Sequence, residues 1–549
     1  MEDGEIELIS SGDKLQEVAQ VLQDFIKNNE STFLFPNLAE SNKRVILWAA
    51  LFQHLQNKTS APIHTLCLAA IRVLSRDKSE LENLICEKWI TTLIEHGGLY
   101  NFIGINEENM APLELPQKDS AIEALKCLCN IAYNSEVARA LCAHTSIAQS
   151  LVARLRIYKD IPFKDEIMLF DIKLLFILTA LRSDIKTKIR DELHGLDYLV
   201  CCLNELLREA SPSPEGPMDQ DQHIFFTDDQ QAIACEILKS MFNLIIRPGG
   251  EDSETEADEA MYLKLMPVLT SLLYTKTTNE EKLMELRSNV ANLLTSVPPP
   301  YYAYLTPELN SGETAECTLE GKNMDALQSL VQLLQYRLSN TTNTKNQCEN
   351  LSPILTVMNK AVRTRAARKW LRARVLPPLR DVSRPPERGS ELRNQLCRLL
   401  TTPVAAIRDL VAEFIFIMCK EKVGRMVKYT GFGNAAGHLA QKGLLGARGA
   451  SGYSRYSSSS DDSDTEEYRA AAPAIDPVLG CTRPPPPRHN PFEGMTDEQK
   501  EYEAMKLVNL FDKLVSEGVV VPARVGADGR PEPVQHVLEL RDPPNRPQS

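Results

Sequence analysis

Ala124-Leu-Lys-Cys-Leu-Cys-Asn-Ile131 and Ile237-Leu-Lys-Ser-Met-Phe-Asn-Leu244 share the form Φ-Leu-Lys-x-Φ-x-Asn-Φ, where Φ is apolar. Looser copies are Ile71-Arg-Val-Leu-Ser-Arg76, Leu174-Leu-Phe-Ile-Leu-Thr-Ala180 and Ala291-Asn-Leu-Leu-Thr-Ser-Val297. The polar residues at the asparagine position, Arg76, Asn130, Thr179, Asn243 and Ser296, are separated by 54, 49, 64 and 53 residues. These intervals slightly exceed the ~40–47 residues of an armadillo or HEAT unit, as insertions between helices would make them. Between the copies apolar residues recur at i, i+3, i+4 and i+7, the period of a helix with one buried face. The expectation is an all-α chain: an armadillo/HEAT-like, right-handed superhelical solenoid over residues 1–425.

One helical turn before each of those positions lie Arg72, Lys126, Leu175, Lys239 and Asn292, on the same face. If these helices line a groove, they give it a mostly polar ladder. The alternative is that each asparagine bonds the backbone of a neighbouring repeat, and both can hold at once.

With 549 residues, 43% of them hydrophobic, the chain can build an extended core. A formal charge of −13 argues against general nucleic-acid binding, which needs a basic surface to release phosphate counterions, and points to a protein partner. The thirteen cysteines include no Cys-x-x-Cys pair and read as small apolar core residues. The acidic start Met1-Glu-Asp-Gly-Glu lacks the order of a signal peptide, and no apolar run reaches membrane-spanning length. The expectation is a soluble, cytoplasmic monomer with no membrane span, metal or cofactor.

Loops are expected at Ser211-Pro-Ser-Pro-Glu-Gly-Pro217, at the acidic run 251–259 and at Pro298-Pro-Pro300. Residues 426–442 end the array with a glycine-rich turn, and 443–494 read as a flexible acidic and proline-rich linker. Thr496-Asp-Glu-Gln499 is a capping box opening an amphipathic helix over 495–516, followed by a disordered tail, 517–549. Such a helix requires a surface to dock on.

Enzyme signatures are absent. Tyr429-Thr-Gly-Phe-Gly-Asn-Ala-Ala-Gly437 is glycine-rich, but Gly437 precedes His438 rather than the Lys-Ser/Thr of a phosphate loop, so it reads as a structural turn. Neither His-Glu-x-x-His nor Gly-x-Ser-x-Gly occurs.

Two charged segments oppose each other. Residues 360–398 carry twelve basic and three acidic side chains, whereas 457–467 is serine-rich and acidic. Ser463 has Glu466 at +3, and Ser458 and Ser459 have Asp461 and Asp462 there, the pattern of an acid-directed kinase substrate. Phosphoserines within 457–465, Ser463 first among them because acid flanks it on both sides, would each add about −1.5 to −2 charges and form charge-assisted forks with arginines such as Arg368, Arg372 and Arg374. That clasp would draw the linker and terminal helix over the array.

Four stretches together resemble the synembryn family: Lys428-Tyr-Thr-Gly-Phe-Gly-Asn-Ala-Ala-Gly437, Val375-Leu-Pro-Pro-Leu-Arg-Asp-Val382, Leu125-Lys-Cys-Leu-Cys-Asn130, and Gly494-Met-Thr-Asp-Glu-Gln-Lys500 through Glu503-Ala-Met-Lys-Leu-Val508. The resemblance spans residues 40 to 515. It implies an armadillo-like protein acting on heterotrimeric G-protein α subunits (Gα), both as chaperone for nascent subunits and as guanine-nucleotide exchange factor on GDP-bound subunits free of βγ, without covalent chemistry. It implies that the groove takes the C-terminal helix of Gα through Arg72, Arg76, Asn130, Phe170, Phe176 and Asn243, and that Ser458 and Ser463 are phosphorylated. The Ser457–Ser460 run departs from the family's alternating acidic pattern, leaving the upstream serine open. Two other readings remain: an armadillo peptide-binding adaptor without exchange activity, and an enzyme using the glycine loop.

Overall fold

The computed structural model describes residues 2–12, 14–39, 42–99, 117–161, 163–211, 224–246, 256–310, 315–340, 346–445, 465–482 and 494–516, with short pieces between 521 and 533. The chain divides into two compact units, Met1–Tyr304 and Leu305–Ser549. The described residues are overwhelmingly helical, with strands limited to pairs of two or three residues.

The first unit runs α1 (Asp3–Ser11), α2 (Leu15–Asn28), α3 (Pro36–Ala39), α4 (Lys43–Gln56), α5 (His64–Leu74), α6 (Leu81–Leu84), α7 (Glu87–His96) and α8 (Lys118–Asn134). It continues with α9 (Glu136–His144), α10 (Ile147–Ile157), α11 (Lys164–Leu181), α12 (Ser183–Thr187), α13 (Gly195–Ala210), α14 (Asp228–Ile245), α15 (Glu256–Tyr274) and α16 (Glu280–Leu294). Helices α5, α8, α11, α14 and α16 pack in sequence as one row; α4, α7, α10, α13 and α15 form a second layer behind it.

Row membership explains the sequence of each row helix. In α8, Ala121, Ile122, Ala124, Leu125, Leu128, Ile131 and Ala132 are buried, because neighbours in the row and the layer behind cover three sides. A single stripe, Glu123, Lys126, Asn130 and Tyr133, stays open at i, i+3, i+7 and i+10. Cys127 Sγ donates to Leu68 O at 3.1 Å and Cys129 Sγ to Phe170 O at 3.5 Å, so these thiols bridge adjacent row helices. Burial pushes the thiols of Cys67, Cys142, Cys202, Cys235, Cys397 and Cys419 up to about 12, which leaves them unreactive at neutral pH. The expectation that all thirteen are core residues is corrected at Cys86, Cys201 and Cys348, which are exposed.

An unanticipated buried network ties α10 to α11. Arg154 and Asp171 are both sealed from solvent. Arg154 Nε donates to Asp171 Oδ2 at 2.6 Å, its Nη2 pairs with Oδ1, and its Nη1 donates to Gly97 O at 2.8 Å. The Tyr158 hydroxyl also donates to Asp171.

The second unit contains α17 (Asp325–Asn340), α18 (Gln347–Ala361), α19 (Arg365–Val375), α20 (Leu392–Leu399), α21 (Ala405–Met418), α22 (Val423–Thr430), α23 (Phe432–Gln441), α24 (Glu466–Ala471) and α25 (Asp497–Ser516). The glycine-rich turn lies between α22 and α23. Its amides at Phe432 and Gly433 donate to Pro477 O and Val478 O at 2.9 and 3.0 Å. Those donors would have to be free for a phosphate, so the turn is structural. Gly431 (φ +74°) and Gly480 (φ +68°) meet back to back, where a Cβ on Gly480 would lie 3.0 Å from the Gly431 Cα.

Residues 465–482, which the sequence reading placed inside a flexible linker, are thus bound to the end of the array. Thr465 caps α24, accepting from Tyr468 N at 3.1 Å and donating its hydroxyl to Leu379 O; Thr482 N donates to Val382 O at 2.8 Å. The linker composition hid this contact because the strap attaches mainly through backbone groups and the Thr465 hydroxyl, with Cys481 the only fully buried side chain in it, rather than through an apolar stripe.

His438 in α23 is buried edge-on to Phe416, with Glu413 at 4.0 Å. Burial first, then the Lys442 charge, lowers its pKa below the usual imidazole value against the pull of Glu413 and Asp409. The folded unit therefore binds fewer protons than the unfolded chain below pH ~6.5. Its stability is full above that pH and declines as pH falls toward the lowered pKa, by at most about 1.4 kcal/mol per pH unit from this group. His438→Asn is expected to flatten the pH dependence of urea unfolding between pH 7 and 5; an unchanged slope refutes it.

Candidate functional site

The row of α5, α8, α11, α14 and α16 leaves one face open, and the residues on it are half-buried rather than fully solvated. Arg72, on the last turn of α5, donates from Nε to Glu123 Oε2 at 2.6 Å. Lys126, one turn on from Glu123, reaches its other oxygen at 2.8 Å. Burial, the largest single influence, pushes the Glu123 carboxyl up, but the hydrogen bonds and charges of Lys126 and Arg72 together outweigh it and hold its pKa below the ordinary value. The Lys126 ammonium also lies 5.2 Å from the Phe170 ring centroid, and Lys173 lies 5.3 Å from the same ring. Farther along, Lys239 pairs with Glu236 at 3.1 Å. The face is a line of cations steadied by carboxylates and aromatic rings.

Both alternatives for the asparagines hold. Asn130 Nδ2 donates to Arg72 O at 3.2 Å, and Asn243 Nδ2 to Phe176 O and Thr179 Oγ1 at 3.3 Å each. Each bonds the preceding row helix while remaining half-exposed on the open face. Arg76 donates to Glu30 O at 2.7 Å and covers the Phe33 ring at 5.6 Å, fixing the loop between α2 and α3 at one end of the face. Burial, reinforced by the neighbouring Arg72 charge, lowers its pKa.

One rung is corrected. Leu175 and Thr179 are buried, and α11 presents Phe170, Lys173, Phe176 and Ile177 instead. Helix α11 is apolar nearly all round, so its periodicity could not phase the exposed stripe; the Asn243 contacts do. Glu123, which organises Arg72 and Lys126, was missed, although its i−3 relation to Lys126 was a usable signal.

In the second unit the three arginines proposed to grip phosphates already have other contacts. Arg368 Nη1 donates to Val362 O and Arg363 O at 3.1 and 3.3 Å, at the end of α18. Arg374 lies 4.6 Å over Trp370 and donates to Gln328 Oε1 at 3.0 Å. Arg372 faces Arg425, whose pKa is lowered by burial first and by the Arg372 charge second. Lys428, whose charge acts together with those of Arg372 and Arg425 on the buried Cys419 thiol, lies 4.4 Å over the Tyr468 ring in α24. Ser458 and Ser463 lie outside the described residues; the described chain resumes at Thr465, beside this cationic end of the array.

Helix α25 is opened by the expected capping box: Thr496 N donates to Gln499 Oε1 at 3.1 Å and Gln499 N to Thr496 Oγ1 at 3.3 Å. Tyr502, Met505, Leu507, Val508, Leu510 and Phe511 on it are exposed, an apolar surface without a cover among the described residues. No helix among the described residues is long and apolar enough to cross a membrane.

Stacked helices, an open polar-aromatic face and an uncovered amphipathic helix define an armadillo-like protein built to bind another protein. The chain belongs to the synembryn family: the family model described as guanine nucleotide exchange factor synembryn matches residues 67–530. It is 38% identical over 538 residues to Chaperone Ric-8A of Xenopus tropicalis, covering 97% of this chain and 96% of that one. It is 36% identical over 566 residues to Chaperone Ric-8 of Drosophila pseudoobscura pseudoobscura, covering 97% and 96%. A solved structure described as showing a phosphorylation switch in the interaction between cadherin and β-catenin matches with a TM-score of 0.50 and 13% identity, over 79% of this chain and 71% of that chain. This last likeness is one of fold alone.

Proposed function

We propose that the protein binds Gα subunits, releasing GDP from free Gα as an exchange factor and sheltering nascent Gα as a chaperone, as a cytoplasmic monomer. The observation that carries this reading is the open face of the first unit, whose half-buried Arg72, Asn130, Phe170, Phe176 and Asn243 suit a helix laid into a groove. Membership in a family of guanine-nucleotide exchange factors with curated relatives named chaperones supports it. Helix α25 would supply a second contact on the same subunit.

Binding alone performs both tasks. A protein that prefers nucleotide-free Gα to GDP-bound Gα must weaken GDP binding by the same factor. A preference of about 10⁴-fold would invert a 1:99 population. The same preference shelters a subunit whose nucleotide site is unformed, and GTP, by closing the subunit, would release the protein.

Phosphorylation of Ser458 and Ser463 by an acid-directed kinase would tighten the strap onto the cationic end of the array, with Arg368, Arg372 and Arg374 as phosphate partners and Arg425 and Lys428 beside them. The test is GDP release from purified Gα, measured with the phosphorylated protein, the unphosphorylated protein and the Ser458→Ala, Ser463→Ala double variant. Accelerated release and a stable complex with nucleotide-free Gα are expected, with the alanine variant slower than the phosphorylated protein. Absence of both release and complex overturns the function; equal rates in all three forms overturn the clasp.

A further inference from the structure

The end of the strap folds on itself where it meets the array. Asp476 N donates to Cys481 O at 3.0 Å, Gly480 N donates to Asp476 O at 2.7 Å, and Val478 N donates to Asp476 Oδ1 at 2.8 Å, so residues 476–481 form a closed turn. The Phe432 and Gly433 amides donate to this turn, and Thr482 N donates to Val382 O just beyond it. Two glycines permit the approach. A Cβ on Gly480 would lie 2.9 Å from Pro386 Cγ as well as 3.0 Å from the Gly431 Cα, and one on Gly431 would lie 3.0 Å from Val478 O. Only Cys481 is fully buried in the strap, so the turn adds little to the core. What it fixes is the point from which the chain leaves for α25.

Thirteen residues, 483–495, separate Thr482 from Thr496, the cap of α25, and fully extended they span no more than about 45 Å. With the turn detached, the nearest upstream hold among the described residues is Tyr468 under the Lys428 ammonium, and the tether grows to the 27 residues 469–495. With Thr465 and Tyr468 released as well, it starts after Leu444, whose amide donates to Leu439 O at 2.7 Å, and comprises the 51 residues 445–495. Effective concentration falls roughly as the −3/2 power of tether length, so these lengthenings lower it about threefold and about eightfold. We propose that the contact between Gly431 and Gly480 is a positioning device, which shortens the tether of α25 and so raises its local concentration at a Gα subunit seated on the open face. This rests on the reading that the open face and α25 hold the same subunit, and it operates without phosphate on the serine tract.

The test titrates nucleotide-free Gα against the unphosphorylated full chain. Inserting 39 glycine and serine residues between Arg488 and His489, which alters no described residue, lengthens the tether fourfold and is expected to weaken binding about eightfold. Gly480→Val is expected to speed hydrogen exchange at the Phe432, Gly433 and Thr482 amides and to weaken binding about threefold; adding Thr465→Ala and Tyr468→Ala should bring the loss to about eightfold. In a chain whose α25 surface is spoiled by Val508→Asp and Phe511→Asp, none of these changes should weaken binding further. Unchanged affinity in the insertion chain overturns the positioning role, and equal losses with the spoiled α25 show that the strap acts on the array and overturn it too. Amides that stay protected in Gly480→Val overturn the assignment to the glycine contact. A Val508→Asp, Phe511→Asp chain that binds like the parent overturns the second contact on Gα itself, and the proposal with it.

Discussion

Asp171→Ala is expected to remove about 3–5 kcal/mol of stability from the unit formed by residues 1–304, the largest loss expected from any single substitution considered, because it strands the buried Arg154 guanidinium. Arg154 is fully sealed, and its side-chain nitrogens are divided between Asp171 and the carbonyls of Gly97 and Gly98. Removing the carboxylate leaves the two Gly carbonyls to satisfy a full positive charge and also strips the acceptor from the buried Tyr158 hydroxyl. Thermal unfolding of the unit should move down by roughly 10 °C. A second change separates charge burial from lost packing: Arg154→Met in the Asp171→Ala background removes the stranded cation and should recover part of the loss. Calorimetry on the three proteins decides; a single variant within 1 °C of the parent would show that the pair adds nothing, and a double variant no better than the single would rule out the stranded charge as the cause.

This network also marks where sequence reading stops. The repeated Φ-Leu-Lys-x-Φ-x-Asn-Φ element revealed the row because the same packing problem recurs at each rung: small or apolar residues toward the neighbours, an asparagine reaching back to a carbonyl. It could not reveal Arg154 or Asp171, since α10 does not contain that element, Asp171 precedes the loose copy Leu174–Ala180 on α11, and a buried ion pair seventeen residues apart leaves no periodic trace. For the same reason the ladder was misphased at Leu175 and Thr179, where an almost uniformly apolar helix offers no polar stripe to fix its rotation. The strap was missed for another cause. Many of its contacts are made by amides and carbonyls, such as those of Phe432, Gly433, Pro477 and Val478, and backbone pairing between segments 45 residues apart is encoded only in the glycines that permit the approach. The glycine-rich stretch was therefore readable as a turn, while the identity of what it turns against was not.

Arg72→Glu combined with Phe170→Ala is expected to weaken the complex with nucleotide-free Gα about a hundredfold or more, with a correspondingly slower GDP release, while the fold holds. Both residues are half-exposed, so neither truncation opens a core cavity. The effect is instead concentrated on one electrostatic unit. Glu123 is shared by Arg72 and Lys126, and Phe170 is shared by Lys126 and Lys173. A carboxylate at position 72 would face Glu123 across the contact now made at 2.6 Å, pull Lys126 toward itself and turn the start of the cation line negative. Loss of the Phe170 ring removes the surface that holds the Lys126 and Lys173 ammonium groups in place, so the change propagates along the face instead of staying at one contact. Arg182→Ala is the matched control: its guanidinium pairs with Asp184 at the start of α12, two residues away in sequence, and it should leave affinity and release unchanged. Titration of nucleotide-free Gα against the three chains, with unfolding midpoints measured alongside, distinguishes the outcomes. A double variant that binds within threefold of the parent places Gα elsewhere than the open face. A variant that fails to bind and also unfolds at lower temperature requires the single changes to be measured separately, and the assignment then stands only if Arg72→Glu alone, at unchanged stability, loses most of the affinity.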